Sequence, residues 1–136
     1  MMEIQLCDYN DLDNLAFLNK QLINDENSNN TMNIDELKVR MKGFISSNYN
    51  AYLFLDNDVV GYALVDITKT PYYLRQFFVI REQRHKGYGK FALNLLLEEL
   101  KTSDIDIEVL SSNEQGFAFW QNCGFKEYSR YMKLNR

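Results

Sequence analysis

Three observations predict an α/β domain with a mixed sheet and about four helices. An apolar, β-favouring run, Leu74 to Ile80, leads through Arg84-His85-Lys86-Gly87-Tyr88-Gly89 into a helix-like run, Lys90 to Lys101. Upstream, two stretches of helical period precede two alternating segments; downstream, a second strand-and-helix pair follows. Taken in order these give β-α-α-β-β-β-α-β-α-β.

Glu3 to Cys7 alternates and reads as the first strand, with Asp8 or Asn10 placed to cap the next element. Leu12, Leu15, Leu18, Leu22 and Ile23 recur near the helical period, so one face of the first helix is apolar. Asn24 to Asn33 is polar and Asn-rich, which predicts a loop. Ile34, Leu37, Met41, Phe44 and Ile45 mark the second helix. Tyr52 to Leu55 and Val59 to Ile67 are strands joined through Asp56-Asn57-Asp58, a hairpin signal. Pro71 breaks the chain before the strand that reaches the glycine turn. Ile105 to Leu110 is a further strand, and Asn113 is an N-cap for the helix after it. Tyr128 and Tyr131 then lie on an expected last strand. With no internal repeat or linker, residues 1–136 read as one domain.

Composition excludes more than it selects. A chain of 136 residues buries about 68% of its unfolded surface on folding. A 46% hydrophobic content with 25% charged residues is that of a soluble globular protein. The net charge of −4 argues against nucleic acid as a partner, which needs clustered Lys and Arg. The chain shows no signal peptide and no apolar run long enough to span a membrane, so a cytoplasmic location is expected, with Cys7 and Cys123 as reduced thiols. One His and no Cys/His cluster provide no metal site.

The glycine turn carries the strongest chemical signal. Gly87 and Gly89 let successive backbone N–H groups converge at the start of a helix. Those unpaired donors and the positive end of the helix dipole suit a phosphate or pyrophosphate. A dinucleotide-binding turn would need a third glycine, and a P-loop would end in Gly-Lys-Ser/Thr where this chain has Gly89-Lys90-Phe91. The turn instead resembles motif A of the GNAT superfamily of acyl-CoA-dependent N-acetyltransferases, Arg/Gln-x-x-Gly-x-Gly/Ala, through Arg84, Gly87 and Gly89. The preceding Phe77-Phe78-Val79 is similar to the aromatic-Val ending of the family's fourth strand. A second segment, Asn113, Gly116, Phe119, Trp120, Gly124 and Phe125, resembles motif B, Asn-x-x-Ala-x-x-Phe-Tyr-x-x-x-Gly-Phe, at every spacing. Gly116 stands for Ala and Trp120 for Tyr. The likeness is specific over residues 73–128 and loose before them.

The resemblance implies a GNAT fold: six to seven strands, the parallel fourth and fifth splayed apart, with a pantetheine arm in the gap. Acetyl-CoA or CoA would be held by Phe78, Val79 and Ile80 on the fourth strand, by the turn from Arg84, His85 and Lys86 through Gly87, Tyr88, Gly89 and Lys90, and by Asn113, Phe119 and Trp120. An amide near Phe78 or Val79 would face the thioester carbonyl, where negative charge gathers as an amine attacks directly. The family often protonates the leaving thiolate with the motif-B Tyr. Trp120 is no general acid, because an indole N–H hydrogen-bonds but keeps its proton. Tyr128, Tyr131, Cys123 or water stand as alternatives, of which Tyr128 is the catalytic candidate.

For the base, Asp106 and Glu108 share one face of their strand. Glu108, paired with Arg75, either borders the acceptor amine or forms a structural ion pair; Asp25 and Glu26 in the first interhelical loop are a second set. The resulting expectation is an N-acetyltransferase acting on a primary amine of a small molecule or peptide, as monomer or homodimer. The acidic balance leans toward a cationic acceptor such as a polyamine, an aminoglycoside or a lysine side chain. An acyl-CoA-binding module with little catalysis is the alternative, kept open by Trp120; a nucleotide-binding regulatory domain would use the glycine turn alone.

Overall fold

Helix starts are set by side chains that answer the unpaired first-turn amides. The Asp8 carboxylate accepts from the Asn10 amide at 2.8 Å and the Asp11 carboxylate from the Asp8 amide at 3.0 Å. This reciprocal cap closes a 3-10 turn, Tyr9–Asp11, that runs into α1 (Leu12–Asp25). Asn33 and Glu36 repeat the device at α2 (Ile34–Ile45), at 2.8 and 3.0 Å. The structure, a computed structural model, describes residues 1–84 and 87–136; expectations for His85 and Lys86 lie outside the described residues.

Five strands form the sheet: β1 (Glu3–Leu6), β2 (Tyr49–Asp56), β3 (Asp58–Asp66), β4 (Tyr72–Val79) and β5 (Ile105–Ile107), in spatial order β1-β2-β3-β4-β5. All neighbours are antiparallel except β4 and β5, which are parallel and joined through α3 (Tyr88–Leu100). The β2–β3 hairpin turns at Asn57, whose φ of 68° is a conformation Asn tolerates. The last helix, α4 (Glu114–Asn122), comes after β5.

Strand alternation divides the apolar side chains between two layers. Tyr52, Phe54, Ala63, Val65 and Leu74 face α3, packing with Ala92, Leu93 and Leu96. Ala51, Leu53, Tyr62, Leu64 and Phe78 face the other way, onto Leu15, Leu18 and Leu22 of α1 and Met41 of α2. Both faces of β2 and β3 are therefore covered, which is why these strands are nearly continuous in apolar residues.

Two expectations need correction. The sheet has five strands among the described residues, where six to seven were expected, because nothing after α4 is a strand. A strand exists through its hydrogen-bonded neighbour, and the C-terminal segment has none here: Tyr128 is 100% exposed and Tyr131 83%. The fifth strand also stops at Ile107, short of the expected Leu110, because its pairing with β4 ends at Leu74.

Gly61 sits where β3 leaves no room for a side chain against β4. A Cβ built on it collides with the Phe78 carbonyl oxygen and comes within 3.1 Å of the Val79 Cα, both backbone atoms that have little freedom to give way. Gly61→Ala is expected to destabilise the fold by about 1–3 kcal/mol, the ordinary scale of overpacking, as read from urea denaturation midpoints against wild type.

Candidate active site

The site begins where β4 loses one neighbour. Its parallel register with β5 runs Tyr72↔Ile105, Tyr73↔Asp106 and Leu74↔Ile107, and ends there. On the β3 side the register skips one residue: Val65 pairs Leu74 and Leu64 pairs Gln76, leaving Arg75 extra. An extra residue bends its strand and re-aims side chains. Beyond this bulge β4 stays on β3, with Gly61 opposite Val79 and the Ile80 amide donating to the Val60 carbonyl at 2.8 Å. Along a strand the backbone groups alternate sides, so the Val79 N–H and C=O point away from β3, into the opening between β4 and β5. Of the three residues named from the sequence here, Phe78 and Val79 lie on β4 and Ile80 just beyond its end; Val79 has its backbone groups on that side, and the Ile80 amide is already engaged.

The glycine turn closes the far end of the opening. Gly87 has φ 75° and caps α3 without a side-chain acceptor; among the described residues the first α-helical bond is Phe91 N–H to Gly87 carbonyl at 3.1 Å. Among those residues the amides of Tyr88, Gly89 and Lys90 have no intrahelical partner. A backbone cradle with the positive helix end behind it fits a pyrophosphate. Tyr88 anchors the turn, its hydroxyl donating to Asp56 Oδ2 at 2.7 Å. Gly89 lies under Phe119, where a Cβ would come within 2.8 Å of the ring. Lys90 is exposed.

Arg84 turns toward the protein. Its Nε donates to the Val79 carbonyl at 2.9 Å, its guanidinium lies 5.2 Å from the Phe78 ring centroid, and it forms an ion pair with Asp25 at the end of α1. Arg81 reaches the same carboxylate at 2.8 Å. Burial alone would raise the Asp25 pKa, but hydrogen bonds from Arg84 and Arg81 outweigh it and hold the group below its usual range. The α1–α2 loop is thereby tied to the segment that precedes the glycine turn.

On the other wall, Asn113 caps α4 by accepting from the Gly116 amide at 3.0 Å. Trp120 packs edge-on against Phe77, Phe119 and Phe125, with ring centroids 5.2, 4.8 and 5.2 Å away. Its indole fills the side of the opening where the sheet has separated.

A cleft of about 510 Å³ joins these walls to α1 and α2. Phe77 and Trp120 border it, as do two carboxylates, Glu26 and Glu108. Glu26 is half-buried, and burial first, then Asp25 beside it, raises its pKa. Glu108 is exposed and lies beside the Tyr73 hydroxyl, whose pKa is raised by burial and next by that carboxylate. The expected Glu108–Arg75 ion pair does not form among the described residues. Arg75 projects from the bulge toward Phe44 and Tyr49, 4.9 and 5.9 Å from their ring centroids. The structure thus brings Glu108, Trp120 and Phe77 together, and leaves Tyr128 fully exposed in the C-terminal segment. Arg40, Tyr49 and Tyr73 line the cleft too, and sequence reasoning missed them. Arg40 had a signal: it falls three residues after Leu37 and four before Phe44, within the apolar stripe of its helix.

A sheet opened between two parallel strands, with the start of a helix beside the opening, defines the α/β class of this domain. The sequence model of the acetyltransferase (GNAT) family matches residues 16–125, and the chain belongs to that family. No curated protein matches the sequence. Among solved structures, a protein of Clostridium difficile 630 described as a possible acetyltransferase is 17% identical, with a TM-score of 0.79 over 100% of this chain and 97% of its own. A predicted acetyltransferase of Clostridium acetobutylicum, determined with acetyl-CoA, is 18% identical, with a TM-score of 0.75 over 99% and 96%. Ribosomal-protein-alanine N-acetyltransferase of Brucella melitensis biovar Abortus 2308 is 16% identical, with a TM-score of 0.74 over 99% and 100%. At these identities the likeness is one of fold.

The Asp25 tie has a pH signature. A carboxylate whose folded pKa lies below its unfolded value of about 3.9 stabilises the fold fully above that unfolded value. The contribution is lost as pH falls through the folded pKa. Asp25→Asn should therefore unfold more easily than wild type at neutral pH, by up to about 1 kcal/mol. The difference should shrink as pH drops below about 4, as followed by denaturant melts across that range.

Proposed function

We propose that this protein is an N-acetyltransferase that moves an acetyl group from acetyl-CoA to a primary amine, by direct attack within a ternary complex. The observation that carries the reading is the opening of β4 from β5 at the Arg75 bulge, continuous with the uncapped start of α3. Pantetheine would lie along the opened edge of β4, and the α3 amides would hold the pyrophosphate. Bound acetyl-CoA supplies the thioester, an acyl group activated for transfer to nitrogen.

The Val79 N–H faces the opening and is the donor assigned to the oxygen that becomes negative as the amine adds. One such fixed donor typically contributes about 3 kcal/mol. Phe77 and Trp120 wall the thioester on one side and exclude water from it. The incoming amine must lose its proton, since a free alkylamine has a pKa of about 10. Of the two cleft carboxylates, Glu26 is the better proton acceptor, because its pKa is already raised by burial and by Asp25. Glu108, exposed at the rim, holds the ammonium as it enters. The leaving thiolate is protonated by solvent, with the Trp120 indole N–H as a hydrogen-bond donor. The chain is read as a single domain using no metal.

A second reading is favoured by Trp120 itself. An indole where a phenol would serve as acid suits an acyl-CoA-binding module with little turnover, used as a sensor. Turnover of any amine separates the two.

Titration calorimetry with acetyl-CoA, CoA and ATP tests the ligand. Both CoA species are expected to bind and ATP weakly or not at all; equal affinity for ATP, or no binding, would remove the reading. The base assignment predicts that kcat/KM falls as pH drops through the Glu26 pKa. Glu26→Gln should lower kcat by about 100-fold or more and abolish that acidic limb. Retention of the limb in Glu26→Gln would transfer the role to Glu108.

A further inference from the structure

Two arginines on the cleft wall have no carboxylate to answer them. Arg40 comes from α2 and Arg75 from the β4 bulge, and both guanidiniums approach one ring, Phe44, at 5.5 and 4.9 Å from its centroid. Neither joins an ion pair among the described residues, although Asp25 alone receives two arginines nearby. Arg40 is half-buried, donates through Nη2 to Asn19 Oδ1 at 3.1 Å, and keeps its Nε buried with no hydrogen-bond partner among the described residues. Burial first, and then the charge of Arg75, lower the Arg40 pKa. Arg75 Nη1 lies 3.4 Å from the Tyr49 hydroxyl, which aims the side chain without neutralising it.

Keeping two like charges close together, one of them desolvated, is costly for the free protein. An anion placed against both relieves the repulsion. Lys69 lines the same cleft, so three cations face Glu26 and Glu108. The chain as a whole carries −4, yet this cavity is locally positive. The field at a site is set by the groups that line it, whatever the charge of the whole protein.

We propose that the acceptor is a small amine that also bears a carboxylate, an amino-acid-like zwitterion whose carboxylate is held by Arg40 and Arg75 while its amine faces Glu26. The proposal rests on the acetyltransferase reading of this cleft. A guanidinium fork matches a carboxylate bidentately, and the aromatic faces of Phe44 and Tyr49 hold both forks in place. Polyamines bring a second cation against the arginines and are disfavoured.

The test uses amines matched in length and differing in charge. δ-Aminovalerate, pentylamine and cadaverine are titrated into the CoA complex and assayed for thiol release with acetyl-CoA, together with L-amino acids and their carboxamides. Carboxylated members are expected to bind about tenfold or more tighter than their neutral counterparts. Arg75→Gln should erase most of that ratio, and Arg40→Lys should weaken it while retaining charge. Cadaverine, pentylamine or the carboxamides binding as well as the carboxylates would overturn the proposal, as would absence of carboxylate binding. Phosphoethanolamine outcompeting β-alanine would overturn the carboxylate assignment. Carboxylates that bind without thiol release support the arginine clamp and remove the transferase reading. If acetyl-CoA itself does not bind, the same titrations on the free protein and on Arg75→Gln decide the clamp alone.

Discussion

β4 has two neighbours with incompatible demands, and the extra residue at Arg75 decides which of them it tracks. Up to Leu74 the strand satisfies both, parallel to β5 and antiparallel to β3; beyond it only the β3 pairing continues. The consequences reach every part of the site. β5 ends at Ile107 because a strand without a partner is no longer held. Backbone donors of β4 become available to a ligand because no strand uses them. Trp120 and Phe77 fill the space that the separation creates, and Arg75 itself is thrown toward α2. A single insertion in one strand thus builds the slot, its wall and one arm of the cleft.

Charge is distributed around that slot with a clear division. Asp25 collects Arg81 and Arg84, so these arginines hold the α1–α2 loop to the base of the glycine turn. In the proposed reading the phosphate-binding task falls to backbone amides, which cost no side-chain ordering when the ligand arrives. Arg40 and Arg75, by contrast, lie over aromatic rings and join no ion pair among the described residues. Glu26 stands in the same cleft, yet its pKa is raised. The carboxylates and the guanidiniums that line the cleft do not pair with one another among the described residues.

Local patterns in the sequence predicted the fold well. The stripe from Ile34 to Ile45 coincides with α2, and the glycine turn sits between strand and helix as its residue types require. The parallel pairing of β4 with β5, which the resemblance implied, is present, but the exact register between strands could not be read. The bulge at Arg75 is a mismatch between two strands, invisible in either alone. The expected strand through Tyr128 has suitable residues, yet that segment pairs with neither edge of the sheet and leaves Tyr128 fully exposed. Glu108 and Trp120 reach the cleft because their elements flank the opening, which motif spacing implied. Arg40, Tyr49 and Tyr73 escaped because their part is assigned by tertiary contact; only Arg40, a charge within an apolar stripe, left a local mark.

The two departures from the family's second motif have physical accounts of different weight. At residue 116 a Cβ would approach the Asn113 side chain to 2.8 Å at Cγ, so glycine lets the cap sit tightly over the first turn of α4. That gain offsets a helix-propensity cost of about 1 kcal/mol. Trp120 keeps the hydrophobic share of a tyrosine's work and enlarges it, contacting three aromatic rings in the wall of the slot. It gives up the acidic proton. A thiol with a pKa of about 8.5 leaves as an anion far more readily than an alkoxide does, and the cleft beside it is open and polar. In the proposed reaction the barrier would be governed by deprotonating the amine and stabilising the addition, tasks which that proposal gives to Glu26 and the Val79 amide. On that proposal, loss of the phenol would change who protonates the product thiolate and leave the bond-forming step in place.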